Sequence, residues 1–160
     1  MAEMTQDDLM VGRIGGLDAM ESKYLAFVVD GDHYAVEVGH IKEIIGMGSV
    51  VSITVVPQTE NYIKGIINLR GDIVPVIDVR SRFMKTEMEY NQMTCIVVVI
   101  YQDYTLGLIV DSILGIYNFR DEMIAAPPSS KLNYANQFVK NIGRADDGTK
   151  LLLDLEKLIF

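Results

Sequence analysis

From Tyr24 onward the apolar residues fall in short runs that alternate or cluster and are cut by turn residues. Leu25-Ala26-Phe27-Val28-Val29 meets Asp30-Gly31, a two-residue turn signal, and Tyr34-Ala35-Val36-Glu37-Val38 then alternates. This pattern predicts a β-hairpin. Val38, Ile41, Ile44 and Ile45 follow at helical spacing, so one face of a short helix is expected, ended by Gly46, with Lys42 and Glu43 on its other face. Further on, YIKGIINLRGDIVPVIDVR, Tyr62 to Arg80, sets two apolar runs on either side of Asn68-Leu69-Arg70-Gly71. Pro75 cannot donate to a ladder, which assigns its run to an edge or a bulge, and Asp78 is placed to cap a helical turn through Val79, Arg80 and Phe83. Before all this, Met1, Met4, Met10 and Met20 are scattered among Gln6, Asp7, Asp8, Gly12, Gly15 and Gly16 without a period. A mobile or loosely docked arm is expected over residues 1–22, with a short helix around Asp7 to Gly12 as the lesser alternative.

Sliding the sequence over itself exposes an internal repeat. At an offset of 72, Val28 meets Ile100, Val36 meets Leu108, Val38 meets Val110, Ile41 meets Ile113 and Ile44 meets Ile116. At an offset of 76, Ile63 meets Val139, Lys64 meets Lys140, Ile66 meets Ile142, and Val76-Ile77-Asp78-Val79 meets Leu152-Leu153-Asp154-Leu155. The extra residues enter around Pro127-Pro128, and the second hairpin is expected to turn near Gln102-Asp103. Each half offers about five short strands, a number that can curl into a small barrel filled by side chains. Two such barrels could share an apolar seam, the first candidate binding groove.

Composition narrows the chemistry. The chain has 160 residues, a net charge of −8 and no cluster of Lys and Arg, so a phosphate backbone is repelled and no nucleic acid partner is expected. Its longest apolar run, Ile96 to Tyr101, is far short of the about 20 residues of a membrane span. The N-terminus lacks the basic and apolar regions of a secretory signal, so the expectation is a cytoplasmic protein with no direct membrane insertion. The single cysteine, Cys95, stands beside Ile96, Val97 and Val98 and is read as an inert core thiol. His33 and His40 lack metal-ligand spacing, and Ser22, Ser49, Ser52 and Ser81 stand in no Gly-x-Ser-x-Gly frame. Gly46-Met47-Gly48-Ser49 continues into Val51 without the Gly-Lys-Ser/Thr of a phosphate loop. Asp72 and Asp78 are read as turn and cap residues rather than an acid/base pair. No catalytic residue, metal or cofactor is expected.

Arg70 is left without an assignment. Its guanidinium can pair bidentately with a partner carboxylate, and Gly71 lets the backbone turn or approach another chain closely. It can equally be an ordinary surface arginine, or one tied to Asp72 or Asp78 of its own chain.

Ile63-Lys64-Gly65, Asn68-Leu69-Arg70-Gly71 and Ile73-Val74-Pro75-Val76-Ile77-Asp78-Val79-Arg80 resemble the central motif of CheW-like chemotaxis coupling proteins. The likeness extends through Tyr24 to Val38, the helix expected over Ile41 to Ile45, Gly107-Leu108-Ile109-Val110-Asp111, Pro127-Pro128 and Leu152 to Leu158, covering Lys23 to Phe160. It implies a mainly β fold with short helices, two SH3-like five-stranded β-barrels packed side by side. The first barrel would span about 23–92 and the second about 93–160, with room for strand exchange between them, and residues 1–22 stand outside the pattern.

For function the resemblance implies a non-enzymatic adaptor, monomeric when free and recruited to membrane-associated receptor arrays. It would join a chemotaxis histidine kinase, through that kinase's CheW-like regulatory domain, to the cytoplasmic tips of methyl-accepting chemoreceptors. At this length a stand-alone coupler is expected. The resemblance assigns receptor binding to a groove involving Ile41, Glu43, Gly65, Leu69, Arg70 and Ile113, with Ile41 and Ile113 as apolar walls, Gly65 permitting close helix approach and Arg70 pairing with a receptor carboxylate. Met47 and Val51 are the candidates for kinase binding. The rival reading is a small-molecule-binding or catalytic barrel in which Arg70 holds an anionic ligand in a closed pocket.

Overall fold

The structure, a computed structural model, describes residues 21–48, 52–57, 59–127 and 134–160. The expected N-terminal arm, its short helix and Pro128 lie outside the described residues, except that Glu21 and Ser22 already belong to the first strand. Strands β1 (Glu21–Val29) and β2 (Asp32–Glu37) form the first hairpin. Asp30 and Gly31 both take positive φ, 52° and 81°, the two left-handed positions of a type I′ turn. Strand β3 (Ile41–Gly46) leads to the hairpin of β4 (Ile63–Leu69) and β5 (Asp72–Asp78) and to helix α1 (Val79–Arg82). The second half gives β6 (Cys95–Tyr101), β7 (Tyr104–Val110), β8 (Ser112–Arg120), the short β9 (Ile124–Ala125), β10 (Val139–Ala145), β11 (Gly148–Leu153) and helix α2 (Leu155–Ile159).

The helix expected over Ile41 to Ile45 is absent: Val38–His40 forms one 3-10 turn and Ile41–Gly46 is strand β3. Its β-branched residues suit a pleated surface. The pairing with β6 shifts register between Ile41 and Glu43, and that bulge displaces the apolar phase, so a strand shows the three-residue spacing of a helix.

The two sheets run β8-β1-β2-β11-β10-β9 and β3-β6-β7-β5-β4. Matched through the sequence repeat they have one order, with β8, β1, β2, β11 and β10 standing where β3, β6, β7, β5 and β4 stand. The correspondence reaches single residues. The parallel pair Val76↔Gly107 becomes Leu152↔Ala35, and the irregularity between Ile63 and Gly65 becomes one between Val139 and Asn141. The bond from Asp78 N to Tyr62 O recurs as Asp154 N to Phe138 O, both 2.8 Å. The five-stranded sheet therefore joins a hairpin from the second sequence half to three strands of the first, and the six-stranded sheet joins a hairpin from the first half to four strands of the second. Two compact units result, one from the described residues up to Phe27, His33–Gly39 and Leu114–Phe160, the other from Val28–Asp32 and His40–Ile113. The expected division near residue 92, with strand exchange, follows the duplicated sequence, whereas compactness follows the exchanged hairpins.

In the five-stranded unit Ile67, Leu69, Val74, Val76, Ile96, Val98 and Ile109 form the core, with Ile45, Met47 and Ile53 packed against it. Gly107 lies among them because a Cβ there would stand 2.7 Å from Val76 Cγ1 and 2.8 Å from Ile96 Cγ2. In the other unit Tyr24, Ala26, Ala35, Phe119 and Leu152 are the centre. Pro75 faces Ile66, whose N–H and C=O both bond to Thr54, so this cross-strand pair makes no ladder bonds. On the other side of β5, pairing with β7 begins at Val76, one residue later, and the missing N–H costs nothing.

Candidate partner-binding site

The β4–β5 hairpin ends in a two-residue turn, Arg70-Gly71, with φ of 52° and 93°. Gly71 takes the left-handed region freely; Arg70 does so at a cost. Asn68 fixes the turn by accepting the Gly71 N–H at 2.8 Å on its Oδ1. The turn therefore holds the Arg70 stem in one direction and exposes its side chain by 68%. The arginine Nη2 donates to Oε2 of Glu43, on β3. Strands β3 and β4 are the two ends of the five-stranded order, so this ion pair ties one end of the sheet to the hairpin at the other. A guanidinium has five N–H donors, and most of this one faces solvent. Its counterpart in the repeat is Asp146, so the arginine is a feature of one hairpin only.

Of the six residues assigned to receptor binding, the structure brings Arg70 and Glu43 into direct contact. Ile41 and Ile113 are half-buried and lie on β3 and β8, in the same compact unit. Leu69 is 8% exposed and belongs to the core, as alternation from Ile67 requires. Gly65 meets a segment of its own chain. It is buried at φ 152°, and a Cβ there would stand 2.1 Å from the Thr54 carbonyl oxygen. The close approach it permits is to the chain's own Thr54 segment. Of the two residues assigned to the kinase, Met47 is packed on the core and its N–H bonds Thr94 O at 2.9 Å, while Val51 lies outside the described residues.

Sequence reasoning missed a second arginine centre. Arg80, 13% exposed, donates from Nε and Nη2 to both carboxylate oxygens of Asp111 at 2.8 to 3.1 Å, and from Nη1 to Thr86 O at 2.7 Å. Asp111 Oδ2 also accepts the Asp30 N–H at 2.8 Å. Hydrogen bonding to Asp111 raises the Arg80 pKa above its ordinary value against the opposing effect of burial. The partners are 31 and 81 residues apart, beyond any local pattern. Nearby, Asp78 Oδ1 accepts from the N–H groups of Arg80 and Ser81, capping α1, and its Oδ2 accepts the Tyr90 hydroxyl at 2.7 Å. With both oxygens engaged, it is held as a structural carboxylate.

Cys95 is half-buried rather than in the core, and burial pushes its thiol up from the ordinary value, away from thiolate reactivity. Among the described residues, no group of three or more His, Cys, Asp or Glu is placed to hold a metal ion. No described helix is long and apolar enough to cross a membrane. Arg70, exposed at a hairpin tip and engaged by a carboxylate, does not line the closed anion pocket of the rival reading.

The CheW-like domain family matches residues 23–159. A chemotaxis protein CheW from Klebsiella aerogenes is 28% identical over 93% of this chain and 87% of its own length, and one from Bacillus subtilis is 30% identical over 86% of each. The crystal structure of the scaffolding protein TtCheW from Thermoanaerobacter tengcongensis superposes with a TM-score of 0.79 at 31% identity, covering 87% of this chain and 92% of that one. That likeness bears out the expected mainly β fold of two SH3-like β-barrels.

Proposed function

Because the chain belongs to the CheW-like domain family, we propose that it is a non-enzymatic adaptor that couples the cytoplasmic tips of methyl-accepting chemoreceptors to a chemotaxis histidine kinase. It works in the cytoplasm, at membrane-associated receptor arrays, and is a monomer when free. The observation that carries the reading is the Arg70 turn: an arginine fixed in a left-handed position, held by Glu43 and presented to solvent. A preorganised guanidinium loses little freedom on meeting a carboxylate, and its planar fork gives direction to the contact. Ile41 and Ile113 supply half-buried apolar surface of the same unit, and Glu43 keeps the arginine in place. Met47, packed on the core of the same unit, contributes to the kinase-facing side.

The test is bridging. Purified chain, a receptor cytoplasmic fragment and the kinase regulatory domain are mixed in pairs and together, and complexes are resolved by size-exclusion chromatography with light scattering. The expected result is a ternary complex that forms only when this chain is present. Binding to neither partner overturns the proposal.

A further inference from the structure

The connection from α1 to β6, Met84 to Thr94, has a fixed backbone and uncovered apolar side chains. Its first residues close α1: Met84 N–H bonds Ser81 O at 3.0 Å and Lys85 N–H bonds Arg80 O at 2.8 Å. This two-bond closure sets Met84 at the position after the helix cap, which takes the left-handed conformation and is normally glycine. Met84 stands there at φ 58°. The far end is held by Tyr90 on Asp78, and by Asn91 N–H donating to Thr94 Oγ1 at 2.9 Å while Asn91 Oδ1 accepts the Met93 N–H at 2.7 Å. Yet Met84 is 74% exposed, Met93 63%, and Met88 and Tyr90 each 37%. Met47 and Met123, by contrast, are packed against the two cores.

The charges around this surface have one arrangement. Lys85, 15% exposed, reaches toward Asp30 and Asp32, Arg80 Nη1 lies 3.5 Å from Asp30, and Lys64 donates to Glu87 at 3.0 Å, so Glu89 is the exposed carboxylate of this rim outside these pairs, and the carboxylates still outnumber the lysines. Glycine at position 84 would relieve the left-handed strain, so the fold alone does not call for a methionine side chain there. Methionine is adaptable and polarisable, suited to an apolar partner whose shape it must follow. We propose that the Met84–Met93 surface docks a partner segment that presents apolar side chains flanked by lysine or arginine, at a place separate from the Arg70 turn. The acidic rim selects the charge of the partner and the methionines supply the contact area.

The test uses the full chain labelled at methionine methyl carbons. The probe is a designed amphipathic helical peptide with leucine on one face and lysine on the other, beside a control with glutamate in place of lysine. The methyl signals of Met84, Met88 and Met93 should move with the lysine peptide and not with the control, while those of Met47 and Met123 stay. Met84→Gly should weaken binding about fivefold, a loss near 1 kcal/mol, while raising the urea midpoint, so lost binding cannot be blamed on lost fold. Glu89→Lys should weaken it as well. Equal shifts with both peptides, shifts confined to Met47 or Met123, or unchanged binding in Met84→Gly would overturn the proposal.

Discussion

Replacing Arg80 by alanine removes the guanidinium that fills the space between Asp111, Thr86 and Asp30. Three contacts of 2.8 to 3.1 Å to Asp111 and one of 2.7 Å to Thr86 O disappear, from a site where the two side chains are 13% and 15% exposed. Truncating one partner of a buried pair costs roughly 3 to 5 kcal/mol, chiefly because the other charge stays buried without its counterion. The lower end applies, about 3 kcal/mol, because Asp111 keeps the Asp30 N–H and its residual exposure admits water. With a urea m-value of roughly 2 kcal/mol/M, the midpoint should fall by about 1.5 M. Equilibrium urea unfolding of wild type, Arg80→Ala, Asp111→Ala and the double variant completes a cycle. The double variant should cost less than the two singles together by about 2 kcal/mol, since each single already removes the shared contact. A loss under about 1 kcal/mol for Arg80→Ala, or additivity within about 0.5 kcal/mol, would refute the assignment of this pair as a structural centre.

The remaining predictions concern Gly65, Leu69 and the tyrosines. Gly65→Ala should destabilise by about 3 kcal/mol, because its Cβ would press on the Thr54 carbonyl and force the backbone to move; an unchanged thermal midpoint would show that the Thr54 segment yields freely. Leu69→Ala should cost about 3 kcal/mol of stability as a core truncation, and a folded variant of near wild-type stability would return Leu69 to the open surface. Tyr24 and Tyr117 are pushed up to about 12, each by burial first and then by Glu37 and Asp147 respectively. Their folded values exceed the unfolded value of 10, so the stability they contribute is complete below pH about 10 and is lost as pH rises from there to about 12. The urea midpoint should therefore fall between pH 9 and 11, less in Tyr24→Phe than in wild type; equal falls would contradict the shift at Tyr24.

The hairpins, the caps and the duplication were legible because each rests on local chemistry. Asp30-Gly31 needs only its own dihedrals, and Asp78 and Asp154 cap the turns that follow them. Strand exchange entered only through the family resemblance, and which hairpins exchange was not legible, because apolar pattern reports which strands exist and not which half they join: Val76 pairs with Gly107 across 31 residues. The Ile41–Gly46 strand was misread because its bulge imitates helical spacing. At the candidate site, Arg70 stood out by its setting in a turn, whereas Glu43, its partner 27 residues away, came only from the family resemblance. Arg80 and Asp111 were in view within apolar runs, but their pairing depends on tertiary contact.

The claim that matters most is that Arg70 acts outward. It forms an exposed ion pair worth at most about 1 kcal/mol to the fold, while an arginine at the centre of an interface costs about 2 kcal/mol or more when truncated. Titration calorimetry of wild type and Arg70→Ala against the receptor fragment and, separately, the kinase regulatory domain tests this most directly, with urea midpoints measured alongside. The account predicts that receptor affinity falls about thirtyfold or more, with kinase affinity and midpoint nearly unchanged. Unaltered receptor affinity, or a loss of stability as large as the loss of binding, would contradict it.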